Sequence, residues 1–188
     1  METPEVPEKS DRLHNVIAVS VAVLAAFMAV TKVKDDNIVQ AMLQAKSDAV
    51  DTWGEYQAKK IKHHLLELGR DQALLLRASA ASPSPVFDKV IAHDEAEMAR
   101  YQREEAELSA KARRHEATYD ALNFRDDQFD LSDAALSVTL ALLAVTALTS
   151  KRWLLVVAWV FAAFGVVMGL AGLLGLTIHP DWLTKLLS

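Results

Sequence analysis

The sequence predicts an all-α protein with three transmembrane helices and a long antiparallel coiled-coil hairpin inserted between the first and second. Three observations lead there. Three apolar runs, uncharged at their centres, are each long enough to cross a hydrocarbon core of about 30 Å at about 1.5 Å per residue. The stretch between the first two is polar, strongly helix-forming, and has one clear proline-bearing break. One side of that break repeats its apolar residues in alternating fours and threes, the spacing of a helix that faces a partner.

The elements follow in chain order. Residues 1–13, with Pro4, Pro7 and mixed charge, read as a disordered polar tail. Residues 14–34 form the first span: from Val16 to Val33 only Ser20, Thr31 and Lys32 are neither apolar nor alanine. A cleaved signal peptide is the rival reading. The apolar run is long for one, and Thr31-Lys32-Val33-Lys34 is a poor cleavage site, so an uncleaved anchor is expected.

Residues 35–130 form the hairpin. In Ala81-Ser82-Pro83-Ser84-Pro85 each proline removes a backbone donor and biases its predecessor away from helix, which places the turn near 82–85. Two helices of about 40 residues, each roughly 60 Å long, flank that turn. In the second, Phe87, Ile91, Asp94, Met98, Tyr101, Glu105, Leu108, Ala112, His115, Tyr119, Leu122, Asp126 and Phe129 form a heptad seam whose phase leads without interruption to Leu131. In the first, Val39, Met42, Val50, Trp53, Ile61, Leu65, Leu68 and Leu75 drift closer to an eleven-residue repeat, which implies little or opposite supercoil.

Residues 131–150 form the second span, and Lys151-Arg152 makes a tight charged turn. Residues 151–178 form the third span. Residues 179–188 read as a short amphipathic interfacial segment, with Trp182 at headgroup level.

Composition excludes several functions. Without cysteine there are no disulfides, thiol catalysis or zinc–thiolate sites. A net charge of −5 and the lack of a basic block argue against a nucleic-acid surface. No nucleophile elbow or phosphate loop occurs, so no enzyme activity and no cofactor are expected. No ionisable residue lies in the central part of a span, which counts against an ion-coupled transporter. The pairs His63/Glu67 and His93/Glu97 each offer only two ligands, and Asp126, Asp127, Asp130 and Asp133 read as a solvated acidic collar. No metal site is expected.

Lys151 and Arg152 in a short loop favour the cytoplasm, as do Lys9 and Arg12, whereas Lys32 and Lys34 pull the other way. The expectation is a multi-pass protein of a bacterial inner membrane, with a cytoplasmic amino terminus and a periplasmic hairpin.

The stretch Trp53-Gly54-Glu55-Tyr56-Gln57-Ala58-Lys59-Lys60-Ile61-Lys62-His63-His64-Leu65 resembles a motif of a bacterial family of small three-pass membrane proteins, catalogued only as a domain of unknown function. Further similarity lies in Tyr101 to Glu105, Phe129-Asp130-Leu131 and Lys151-Arg152-Trp153-Leu154. The resemblance implies an architecture but no activity. Gly54 departs from the alanine that the resemblance implies. A glycine there costs about 1 kcal/mol in an exposed helix interior, which points to close backbone approach.

Two residue sets are candidates for interaction. Trp53, Tyr56, Gln57 and Lys60 share one helix face. They serve either as a recognition surface or as an anchor that fixes register against Tyr101 and Glu105 on the second helix. Counting from a turn near Pro83 sets residue 60 opposite about 106, so a Lys60–Glu105 pair is expected. In the spans, small residues form three stripes: Ala18, Ala22, Ala25 and Ala29; Ala134, Ser137, Ala141 and Ala144; and Ala158, Ala162, Gly165, Gly169 and Gly172. Such stripes let helices pack closely in lipid. The third is more than one neighbouring helix must cover, so self-association is expected. The functional expectation is a non-enzymatic, homo-oligomeric structural or interaction scaffold in the lipid bilayer. The alternative is an oligomeric channel or pore-forming subunit.

Overall fold

The computed structural model describes residues 8–80, 82 and 84–176. The described residues form three α-helices and no strand: α1 (Glu8–Ser79), α2 (Pro85–Thr149) and α3 (Arg152–Leu174). The long helices pack against each other. α1 begins inside the stretch read as a polar tail. The interfacial segment expected at 179–188 lies outside the described residues. The chain divides into two compact units, the first formed by Met1–Ala41 with Ala121–Ser188 and the second by Met42–Asp120.

The first unit holds the three apolar segments. Along α1 the inward residues are Ile17, Val21, Leu24, Met28, Thr31, Asp35 and Ile38, alternating by four and three. Of these, Ile17, Val21, Leu24 and Met28 meet Leu136 and Leu143 of α2 and Ala158 and Ala162 of α3 in one core. The third small-residue stripe is wholly buried inside the chain. A Cβ at Gly165 would lie 2.8 Å from Leu136 Cγ, one at Gly169 2.7 Å from Ser132 Oγ and 2.8 Å from Phe27 Cε1, and one at Gly172 2.9 Å from Phe129 Cζ. This corrects the expectation that the stripe exceeds what its own chain covers: bulky residues of α1 and α2 fill it. The other two stripes, on α1 and α2, are exposed throughout.

The connections follow local chemistry. α3 ends where Gly175 takes the left-handed conformation (φ 66°) and the Leu176 N–H donates to Ala171 O at 2.9 Å. The Arg125 guanidinium donates to Gly172 O at 2.8 Å and the Gln128 amide to Leu176 O at 2.7 Å. Together they satisfy carbonyls that a helix C-terminus leaves unpaired.

In the second unit, α1 and α2 run in opposite directions. α2 starts with Pro85, whose missing donor is harmless in a first turn. Arg77 in the last turn of α1 pairs with Asp88 in the first turn of α2 at 2.7 Å, each sign placed where the helix dipole favours it. All thirteen residues of the α2 heptad seam are buried or half-buried. The α1 partner face differs from the sequence expectation. It consists of Met42, Ala45, Ala49, Thr52, Tyr56, Lys59, His63, Leu66, Arg70, Ala73 and Arg77, again alternating threes and fours. Val50, Ile61, Leu65, Leu68 and Leu75, read from the sequence as seam residues, are exposed. Small and polar side chains let the helices approach and reach α2 carboxylates, so they displace the larger apolar ones outward.

Candidate functional site

The inward face of α1 carries aromatic and basic groups midway along the second unit, opposite a carboxylate-rich stretch of α2. Trp53 Nε1 donates to Glu116 Oε1 at 2.8 Å. Tyr56 meets Trp53 edge-on, with ring centroids 5.3 Å apart. Lys59 pairs with Glu104 at 2.6 Å and lies over the Tyr101 ring. Arg100 covers the same ring at 4.9 Å and contacts Glu97 and Glu104. His63 Nδ1 is 2.9 Å from Glu105 Oε1, both side chains being largely buried. The hydrogen bond from Lys59 holds the Glu104 carboxyl below its ordinary range and raises the Lys59 ammonium in return.

This arrangement corrects the expected Lys60–Glu105 pair. No ion pair joins those two among the described residues. Lys60 is exposed and lies 5.9 Å from the Tyr56 ring centroid, while Gln57 is exposed on the outer side. The count from the turn had the level right. The face was wrong by one residue: position 59 falls on the inward seam and position 60 does not. Of the expected residues, Trp53 and Tyr56 meet each other, Tyr101 meets Lys59 and Glu105 meets His63, with Glu104 added as the partner of Lys59. A heptad frame drawn through the alanines of α1 identifies Lys59 and His63. A frame drawn through its leucines does not.

A groove beside this face, about 560 Å³, is open and lined by Glu55, Lys59, Glu104, Lys111 and Arg114 among others, of which Lys59 and Glu104 pair with each other. No group of three or more metal-ligating side chains occurs among the described residues. His64, not His63, contacts Glu67, at 2.7 Å.

A second polar cluster lies in the first unit. Asp35 is buried; its Oδ2 accepts from Lys32 at 2.8 Å, and its Oδ1 is buried without a hydrogen-bond partner. Burial, then the adjacent Asp35, pushes the Asp126 carboxyl up to about 6. Burial and Asp35 raise Asp130 as well. Of the four residues read as a solvated collar, Asp126 and Asp127 are half-buried, whereas Asp130 and Asp133 are exposed as that reading had it.

Residues 13–175 match the model of one family, described as a domain of unknown function (DUF4337). No curated protein and no solved structure matches the chain.

Proposed function

Because the chain belongs to the DUF4337 family, which brings no activity, we propose from its geometry a non-enzymatic, three-pass integral membrane protein acting as a homo-oligomeric scaffold. The observation that carries this reading is the surface of the apolar segments. Each of the three helices has a stretch long and apolar enough to cross a membrane, yet only 17%, 39% and 33% of those stretches is buried within the chain. Apolar surface on that scale needs a cover, and lipid supplies one. The contacts of the candidate site favour a structural role, since its aromatic and ionic groups are engaged with one another. The proposed setting is a bacterial inner membrane, with the turn near Ser84 outside the cytoplasm.

The test is direct because the chain has no cysteine. Ser84→Cys should react with a membrane-impermeant maleimide in intact spheroplasts. Labelling only after lysis would reverse the topology. Release of the wild-type protein from membranes by alkaline carbonate would remove the membrane reading altogether. Ion conductance in reconstituted bilayers would replace the scaffold by a pore.

A further inference from the structure

The outer face of α1 carries a second heptad seam that the chain leaves uncovered. Ala58, Ile61, Leu65, Leu68, Gln72 and Leu75 alternate by three and four, and all are exposed. The four large apolar members are each more than half exposed. No charged residue interrupts the run. Over the same stretch the opposite face, which meets α2, carries Tyr56, Lys59, His63, Leu66, Arg70 and Ala73, with Leu66 its one large aliphatic residue. The more hydrophobic seam is therefore the one without a partner in the chain, the inverse of a self-sufficient two-helix hairpin.

Resting on the membrane reading above, we propose that this seam pairs in parallel and in register with the same seam of a second copy. Three features select a second copy over another partner. Two copies anchored in one bilayer by the same apolar segment enter the seam in the same chain direction and at matching residues, so the register is preset. Gln72, the one hydrogen-bonding side chain between Ala58 and Leu75 on the seam, makes no side-chain hydrogen bond within the described residues, and an amide carries both donor and acceptor, so it satisfies its own copy. The flanking positions are charge-balanced for self-pairing. In a parallel pair Gln57 would face the partner's Lys62, His64 the partner's Gly69 and Asp71 the partner's Leu76, so no like charges meet. Gly54, one step before Ala58 on this face, has nothing beyond its own stretch of helix within 4 Å of where a Cβ would stand. The close backbone approach expected at Gly54 is therefore not made within the chain, and the open space leaves room for a neighbouring backbone at the small-residue end of the seam.

The absence of cysteine allows a clean test on the full-length protein in its native membrane or in nanodiscs. Single Ile61→Cys, Leu68→Cys and Leu75→Cys variants should form disulfide dimers on mild oxidation. Lys60→Cys, exposed on another side of α1, and Ala96→Cys, exposed on α2, should not. Leu65→Lys with Leu68→Lys, at two positions more than half exposed, should reduce the assembled fraction in native mass spectrometry at least tenfold. Cross-linking of equal yield at Lys60→Cys, or none at any seam position, overturns the proposal. If the wild-type protein is oligomeric but the seam does not cross-link, the scaffold reading stands and this interface falls. If it is monomeric in the membrane, both fall. Occupation of the seam by a different protein in wild-type membranes, seen by cross-linking from Leu68→Cys to a heavier species only, also overturns it.

Discussion

Lys59 and Lys60 show how much one residue of helical phase decides. Adjacent positions on a helix point about 100° apart, so Lys59 reaches Glu104 while Lys60 stays at the surface. Glu105 is instead held by His63 in a partly buried contact. Removing one partner of a partly buried hydrogen-bonded pair costs about 1–3 kcal/mol, whereas an exposed lysine contributes about 0.5 kcal/mol or less. Glu105→Ala should therefore lower the thermal midpoint visibly, and Lys60→Ala should leave it nearly unchanged. Equal shifts would restore the Lys60 pairing. Asp126 supplies a pH test. Its folded pKa, about 6, lies above the ordinary carboxylate value of about 4. The folded state then binds this proton more tightly than the unfolded chain does, so its contribution is present at low pH and is lost as pH rises through about 6. The unfolding midpoint should rise as pH is lowered from 7 towards 5, and Asp126→Asn should flatten that slope. A slope unchanged in the variant assigns the effect to another group.

At the scale of elements, α3 is positioned by what its glycines lack. Ser132 and Phe27 stand where a Gly169 side chain would begin. Forcing a methyl group into such a contact costs about 1–3 kcal/mol through displaced neighbours. Gly169→Ala should destabilise the fold by that amount, and Gly165→Leu by more, because Leu136 and the Ser132 backbone leave no space. The readout is unfolding in mild detergent, measured alongside oligomeric state. Loss of assembly with the unfolding midpoint intact would return the stripe to an intersubunit role. At the C-terminal end of α3, Arg125 donates to the Gly172 carbonyl through two nitrogens. Neither this contact nor that of Gln128 was visible in the sequence, because both join positions far apart along the chain.

The whole molecule poses a question of solvent. Trp153 and Trp159 are more than half exposed on a helix of apolar surroundings, whereas Trp53 lies half-buried in the other unit. Under the membrane reading, single-tryptophan proteins in bilayers of brominated lipid should separate these environments. Trp159, about 9 Å further along α3 than Trp153, should be quenched most strongly by bromines deep in the acyl chains. Trp53 should not be quenched. Comparable quenching at all three sites would contradict the proposed spans.

The sequence by itself determined the features that depend on local composition. Proline chemistry near 82–85 broke the helix, three apolar runs gave helical stretches long enough to cross a membrane, and the unbroken spacing from Phe87 to Phe129 identified the buried face of α2. The tertiary structure alone decided which face of α1 turns inward. Hydrophobicity favoured Ile61, Leu65, Leu68 and Leu75, but Ala45, Ala49, Thr52, Lys59 and His63 face α2. Burying a large side chain is favourable wherever a partner stands, so hydrophobicity identifies a contact face without saying which partner meets it. Close approach and directed contacts, Lys59 with Glu104 and His63 with Glu105, chose among the faces, and they exist only once α2 is in place. The same holds for the glycines of α3: their spacing announced a close contact, and only the fold identified Leu136, Ser132, Phe27 and Phe129 as what fills it.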